Sequence, residues 1–229
     1  CTPSTSRSWP NRPPGPIPSN NPKAMARPSA SIAVLGAGSW GTALAILLSR
    51  NQFDVRLWGN EPEHMAELDR ARVNQAFLPD IPFPDGLRPL ADLGACLEGA
   101  REVLLVVPSH AFGSVLAASR PLLPPAASVS WATKGFDPGS RRLLHEVARE
   151  QLGPQRDLAV ISGPTFAKEV ARGLPTAITV ASARAEHAHR LAEYLHAEFF
   201  RAYTSDDMIG VEVGGASKNV LAIAAGIAD

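Results

Sequence analysis

Ser31-Ile-Ala-Val-Leu-Gly36-Ala-Gly38-Ser-Trp-Gly41-Thr-Ala-Leu-Ala45 is the stretch that decides the fold. Its first five residues form a short continuous apolar run closed by glycine, the pattern of a strand buried on both faces. Helical periodicity begins at Thr42 and continues to Arg50. The three glycines between them have separate tasks in a strand-turn-helix unit. Gly36 makes the tight turn, Gly38 lets the backbone approach a pyrophosphate, and Gly41 lets the helix pack against the strand. The helix start then offers unpaired N–H groups and a positive partial charge to phosphates. In this context the pattern predicts dinucleotide binding, with a ligand-free tight turn as the plainer alternative.

The second half of such a fingerprint is an acid about 20 residues past the glycines, at the end of the second strand, where it meets the ribose. Here Trp58-Gly-Asn60-Glu61 follows the predicted strand 53–58. Either Asn60 or Glu61 can take the adenosine role, and Glu61 can instead sit in the first turn of the next helix, where acids favour the dipole. NAD and NADP both stay open.

Outward from this unit, strands and helices alternate. Helix is expected over 61–75, 112–118 and 141–152, and strand over 102–107, 128–133 and 158–162, while 76–89, with four prolines, reads as a loop with at most a marginal strand. Strands separated by helices of this length imply parallel pairing by right-handed crossovers, so the predicted fold class is α/β, a Rossmann-like doubly wound, mostly parallel sheet. Beyond it, helices 165–172 and 185–199 and strands 176–181 and 201–204 are expected, then a Gly- and Ala-rich helix over 206–229. The domain expectation is a disordered leader over 1–30, a dinucleotide-binding domain over 31–205, and over 206–229 the first helix of an all-helical substrate domain, cut short because no stop signal ends it.

Composition narrows the classes. The 229 residues carry 22 Lys+Arg and 22 Asp+Glu, with two cysteines in no framework spacing and no C-x-x-C. That excludes a disulfide scaffold or zinc ribbon and favours a reducing, cytoplasmic setting. No apolar run approaches the roughly 18 residues a membrane helix needs. Residues 1–30 hold four basic residues, no acid and eight prolines, leaving 18 bases against 22 acids in the rest, a net of −4. An acidic body argues against a nucleic-acid partner, which depends on clustered Lys and Arg. The leader is read as disordered; an organelle transit peptide and a natural start at Met25 are both open. The six histidines form no metal set: His187 and His189 point to different faces of a helix, and His189, Glu193 and His196 fit a solvated one.

Three further segments carry candidate chemistry. Lys134 ends a predicted parallel strand, at the edge where open α/β sheets bind ligands. Gly163-Pro-Thr165-Phe-Ala167 follows another strand and starts a helix, a candidate anion nest with Thr165 as N-cap. In the last helix, Gly214 and Gly215 each cost roughly 1 kcal/mol against alanine, a penalty that close approach to a ligand or element would justify. Lys218 shares an otherwise apolar face with Val211, Gly215 and Ala222, so it must snorkel, find a partner or titrate.

Together the segments Val34-Leu-Gly-Ala-Gly-Ser-Trp-Gly-Thr-Ala-Leu-Ala45, Val106-Val-Pro-Ser-His110, Trp131-Ala-Thr-Lys-Gly135, Ile161-Ser-Gly-Pro-Thr-Phe-Ala-Lys-Glu169, Gly173-Leu-Pro-Thr176 and Gly214-Gly-Ala-Ser-Lys-Asn219 resemble the bacterial NAD(P)-dependent glycerol-3-phosphate dehydrogenases. The resemblance runs from about Ser31 to Asp229. It implies an oxidoreductase interconverting sn-glycerol 3-phosphate and dihydroxyacetone phosphate with NAD or NADP, supplying phospholipid synthesis. It implies that Ser39, Trp40, Asn60 and Ala167 contact the cofactor, that Lys134, Gly163 and Thr165 meet substrate phosphate or cofactor, and that Lys218 accepts the proton. Trp40 stands where the family often has tyrosine, Asn60 where it commonly has histidine or arginine, and Ser217 where it usually has an aliphatic residue, so Asn60 puts adenosine selectivity in question. Two rivals are a hydroxyacid dehydrogenase of the phosphogluconate type, which expects asparagine where Ala222 stands, and a non-catalytic cofactor-binding module. A homodimer is open.

Because the leader lacks apolar anchors, deleting residues 1–24 should leave the thermal midpoint unchanged. A fall of several degrees in a calorimetric scan would show that the leader packs on the body.

Overall fold

The structure, a computed structural model, describes residues 30–228. The expected disordered leader lies outside the described residues apart from Ala30, which is buried. Among the described residues, ten strands and eight α-helices follow in the order β1 Ser31–Leu35, α1 Ser39–Arg50, β2 Asp54–Trp58, α2 Pro62–Ala71, β3 Val73–Asn74, β4 Leu78–Pro82, β5 Leu87–Leu90, α3 Leu93–Leu97, β6 Glu102–Leu105, α4 Ser109–Ser119, β7 Ser128–Trp131, α5 Leu144–Leu152, β8 Leu158–Ser162, α6 Ala167–Ala171, β9 Thr176–Ala181, α7 Ala185–Leu195, β10 Phe200–Ser205 and α8 Met208–Ala228.

Eight strands form one sheet in the order β10-β9-β8-β7-β6-β1-β2-β5, and β3 pairs with β4 in a separate antiparallel hairpin. The six strands from β5 to β8 run parallel. Alternate side chains of each strand enter two cores. Ile32, Val34, Leu57 and Leu104 pack beneath α1, α2, α6 and α7, while Leu35, Val103, Leu105 and Trp131 pack beneath α4 and α5. This is the doubly wound α/β sheet that the alternation implied. The expected absence of a long apolar span has its counterpart here: no helix among the described residues is long and apolar enough to cross a membrane.

The sheet is mostly parallel, as expected, and some element bounds differ from those expected. β9 joins β8 antiparallel, with Ile161 opposite Val180, and β10 follows β9 in that reversed direction. The helix between β8 and β9 has five residues and rises only about 7.5 Å, too little to carry the chain back along a strand and restore parallel direction. The stretch 76–89 is no simple loop: it holds β4, and β5 pairs with β2 at the sheet edge, where Pro89 is tolerated. The helix expected to reach Gln75 stops at Ala71, because Arg72 turns left-handed at φ 54°. The helix expected from Arg141 starts at Leu144, after Arg141 adopts φ 59°. The helix expected to reach Phe199 ends at Leu195, and Ala197 then bridges Phe200.

One polar cluster is enclosed by the core under α7. Glu102 opens β6, and its carboxylate accepts the Ser130 hydroxyl of β7 and lies 3.1 Å from His187 Nε2, with all three residues at 1% exposure or less. His189, Glu193 and His196 occupy the exposed face of the same region. Removing one member of a buried hydrogen-bonded set strands the others. Glu102→Leu should therefore lower unfolding free energy by about 2–4 kcal/mol in a denaturant titration, and Glu102→Gln, which keeps an acceptor for Ser130, by less; equal stability of Glu102→Leu and the parent would show that the cluster contributes nothing.

Candidate functional site

The site begins where β1 ends. Gly36 has φ 122°, and a Cβ there would stand 2.3 Å from the Val106 carbonyl oxygen; at Gly41 a Cβ would stand 1.9 Å from the Gly36 carbonyl oxygen. Both glycines are forced by backbone approach, the first to the end of β6 and the second within the turn. Gly38 differs: a Cβ there meets nothing within 4 Å, and it holds the N-cap position of α1 without any side-chain cap. A side chain at Gly38 would thus enter open space at the start of α1, whose first-turn N–H groups, at Ser39, Trp40 and Gly41, have no intrahelical partner. That is the shape and polarity a pyrophosphate needs. At the end of β2, Asn60 and Glu61 are both exposed, and Glu61 is the N-cap residue of α2 with no capping bond, so both adenosine alternatives keep their access.

From the glycine turn the edge continues across the parallel strand ends. Thr133 Oγ1 donates to the Val107 carbonyl at 2.7 Å, which ties the end of β7 to that of β6. Next comes Lys134, whose ammonium donates to the Gly163 carbonyl after β8 at 3.4 Å. At Gly163 a Cβ would stand 2.9 Å from the Ala177 carbonyl oxygen. Over this edge runs α8. A Cβ at Gly215 would lie 2.8 Å from Ser162 Oγ and 3.9 Å from Lys134 Cγ, whereas one at Gly214 meets nothing. The Lys218 ammonium lies 5.9 Å from the Phe166 ring centroid. Ser162, Gly163, Gly214, Gly215 and Lys218 line a shallow cleft of about 300 Å³.

Electrostatics couples the two lysines. Lys134 is held below the usual lysine range, first by partial burial and then by the charge of Lys218. At Lys134, burial and a neighbouring positive charge both disfavour the ammonium form. A larger depression, about 520 Å³, opens between α4 and α5 beside Arg120 and Asp137, but Arg142 and Glu150 there are already paired with each other.

Thr165 does not cap a helix: α6 starts at Ala167, Phe166 is the residue before it, and no side chain caps that start. The expected nest at Gly163-Pro-Thr165 is therefore a loop, from which Phe166 projects at 67% exposure. The apolar face that Lys218 was expected to share with Val211, Gly215 and Ala222 is partly covered in the structure. Val211 packs against the α5-side core, the exposed apolar residues are Ile209, Val213 and Ile223, and the side chains of Ala222 and Ala225 lie outside the described residues.

Two residues that the sequence did not single out prove structural to the site. Asn74, fully buried on β3, donates to the Ala37 carbonyl and to Thr42 Oγ1, each at 2.9 Å, bracing the glycine turn from outside. It fell in a predicted helix, so only its polarity amid apolar neighbours could have marked it. Glu212, an acid within an otherwise apolar part of α8, is buried against β7.

Fold and cradle define a dinucleotide-binding protein of the doubly wound class. Residues 31–188 match the family described as NAD-dependent glycerol-3-phosphate dehydrogenase N-terminus, and the chain belongs to that family. It is 56% identical over 205 residues to a glycerol-3-phosphate dehydrogenase [NAD(P)+] of Stenotrophomonas maltophilia strain R551-3, covering 90% of this chain and 60% of that protein. An Escherichia coli O1:K1 protein of the same description is 56% identical over 206 residues, covering 90% of this chain and 61% of its own length. The crystal structure of glycerol-3-phosphate dehydrogenase from Coxiella burnetii superposes with a TM-score of 0.83 at 50% identity, over 88% of this chain and 61% of that one. The chain thus spans about three fifths of the relatives it matches.

The contrast among the glycines yields a test. Gly38→Val should abolish NAD(H) and NADP(H) binding in a calorimetric titration while leaving the thermal midpoint near that of the parent, because its side chain enters open space. Gly41→Ala should instead destabilise the fold. Undiminished affinity in Gly38→Val would remove the cradle from the cofactor site.

Proposed function

We propose that this chain supplies the cofactor cradle and the proton-transfer lysine of a glycerol-3-phosphate dehydrogenase that interconverts sn-glycerol 3-phosphate and dihydroxyacetone phosphate with NAD or NADP. The observation that carries the reading is geometric: Gly215 brings α8 against Ser162 and Lys134 at the same sheet edge as the glycine turn, and Lys218 lines the cleft there beside Gly163. In this reading Gly36, Gly38, Ser39, Trp40, Gly41, Asn60, Lys134 and Ala167 hold the cofactor, and Lys134, Gly163 and Thr165 hold substrate. The nicotinamide, when bound, supplies or accepts the hydride at C2 of the substrate. Lys218 takes the proton from the C2 hydroxyl during oxidation and returns it to the carbonyl oxygen during reduction. Lys134, beside the Gly163 carbonyl at the same sheet edge, attracts the dianionic phosphate and so holds the substrate beside Lys218.

The domain division follows the same logic. Residues 31–205 form the cofactor unit, and α8 begins the substrate unit, whose remainder would cover Ile209, Val213 and Ile223. A reducing, cytoplasmic compartment fits Cys96, a free thiol whose burial pushes its pKa up to about 12 and leaves it inert. Glycerol 3-phosphate for phospholipid synthesis is then the product of the reductive direction.

A chain extended by the C-terminal remainder of the Stenotrophomonas maltophilia relative should reduce dihydroxyacetone phosphate orders of magnitude faster than the 229 residues alone, because the added wall excludes water and fixes the substrate. In the extended enzyme, Lys218→Ala should lower kcat by about 10²–10⁴-fold with cofactor affinity nearly unchanged. A kcat unaltered by Lys218→Ala, measured from NADH or NADPH consumption, would overturn the assignment.

A further inference from the structure

Glu212 lies on α8 six residues before Lys218, and Trp131 lies on β7 three residues before Lys134. The two are joined. Trp131 Nε1–H donates to Glu212 Oε1 at 3.0 Å, the His145 backbone N–H of α5 donates to the same oxygen at 3.1 Å, and His145 Nδ1 lies 2.6 Å from Oε2. The carboxylate is 2% exposed. Its partners are themselves fixed: Trp131 is fully buried, edge-on against Phe112 with ring centroids 5.7 Å apart.

Among the described residues at this end of α8, Met208 and Val211 reach the α5-side core, Ile209 and Val213 are exposed, and Gly215 brings the helix against Ser162 and Lys134 without a side chain of its own. Glu212 adds the directional bonds that set how α8 sits on β7 and α5, and any movement of the helix would carry Lys218 with it. Reacting groups must be held to within a fraction of an ångström, so the orientation of α8 matters to the chemistry.

We propose that Glu212 is a positioning residue whose carboxylate latches α8 to β7 and α5 and thereby fixes Lys218 beside Lys134. The role in catalysis rests on Lys218 as proton acceptor; the latch itself does not, and it can be tested without turnover. The charged groups that meet at this crossing are Lys134 after β7, Lys218 and Glu212 on α8, and His145 on α5, with Lys134 and Glu212 lining one crevice beside Gly215.

The chain has four lysines, Lys23, Lys134, Lys168 and Lys218, few enough to resolve after reductive ¹³C-methylation. Lysine-to-arginine variants assign the resonances, and each is titrated by NMR. In the parent, Lys134 should titrate below an ordinary lysine, and Lys218→Met should raise it. Glu212→Leu, checked for fold by circular dichroism, should raise it as well, because α8 shifts and takes the Lys218 charge away from Lys134. The sign is diagnostic: deleting a nearby carboxylate without movement would lower the lysine titration. Glu212→Gln can accept from Trp131 and His145 N–H and donate to His145 Nδ1, so it should produce no rise. A folded Glu212→Leu without a rise, or a rise in folded Glu212→Gln, overturns the latch. Should Glu212→Leu fail to fold, Trp131→Phe and His145→Ala carry the comparison: a rise in either supports the proposal, and none in both overturns it. In the extended enzyme the expected companion result is a fall in kcat for Glu212→Leu, with the KM for NADH unchanged and kcat recovered in Glu212→Gln. A loss of kcat confined to Lys218→Ala, with the Lys134 titration behaving as stated, would separate failure of the kinetic role from failure of the latch.

Discussion

The structure depends on how closely the backbone turns between β1 and α1. A methyl group at Gly41 would fall 1.9 Å from the Gly36 carbonyl, and one at Gly36 would fall 2.3 Å from Val106. Only a chain without side chains at these two points can bring the start of α1 down onto the ends of β1 and β6. Once that approach is made, α1 starts at the ends of the central strands, and Gly38 at its N-cap borders open space. Asn74 then braces the turn through the Ala37 carbonyl, so that the cradle is fixed from both the strand side and the hairpin side.

The same device recurs where α8 crosses the sheet. Gly163 allows the chain after β8 to pass against β9, and Gly215 allows α8 to approach Ser162 and Lys134. Close approach partly buries Lys134 and brings the Lys218 charge within reach, and Lys134 is held low by the first effect more than by the second. Glycine permits proximity but does not enforce it. Enforcement falls to directional bonds, of which those from Trp131 and His145 to Glu212 are the ones that span the crossing.

What could be read in advance follows from how each element is buried. β1, β8 and β9 are runs whose side chains enter both cores, so an apolar block with a turn signal marks them without ambiguity. β5 is an edge strand, Leu-Arg-Pro-Leu, covered on one side only and broken by proline, and its local signal is that of a loop. α3 has five residues, too few for periodicity to develop. Thr165 carries the chemistry of a cap, but the chain after β8 must first swing out to reach the antiparallel β9, and the helix starts two residues late.

By itself the sequence determined the class: the glycine spacing, the alternation of buried blocks with amphipathic segments, and the lysines at strand and helix positions that a ligand-binding edge would use. These are local facts, fixed by backbone sterics and by which side chains must leave water. Tertiary structure alone decided the reversed direction of β9 and β10, the burial of Asn74, Glu102, His187 and Glu212, and the electrostatic meeting of Lys134 with Lys218. The physical reason is range. Sterics and hydrophobic periodicity act within a few residues of chain, whereas desolvation and charge coupling depend on neighbours that stand tens of positions away and become neighbours only when the sheet is assembled.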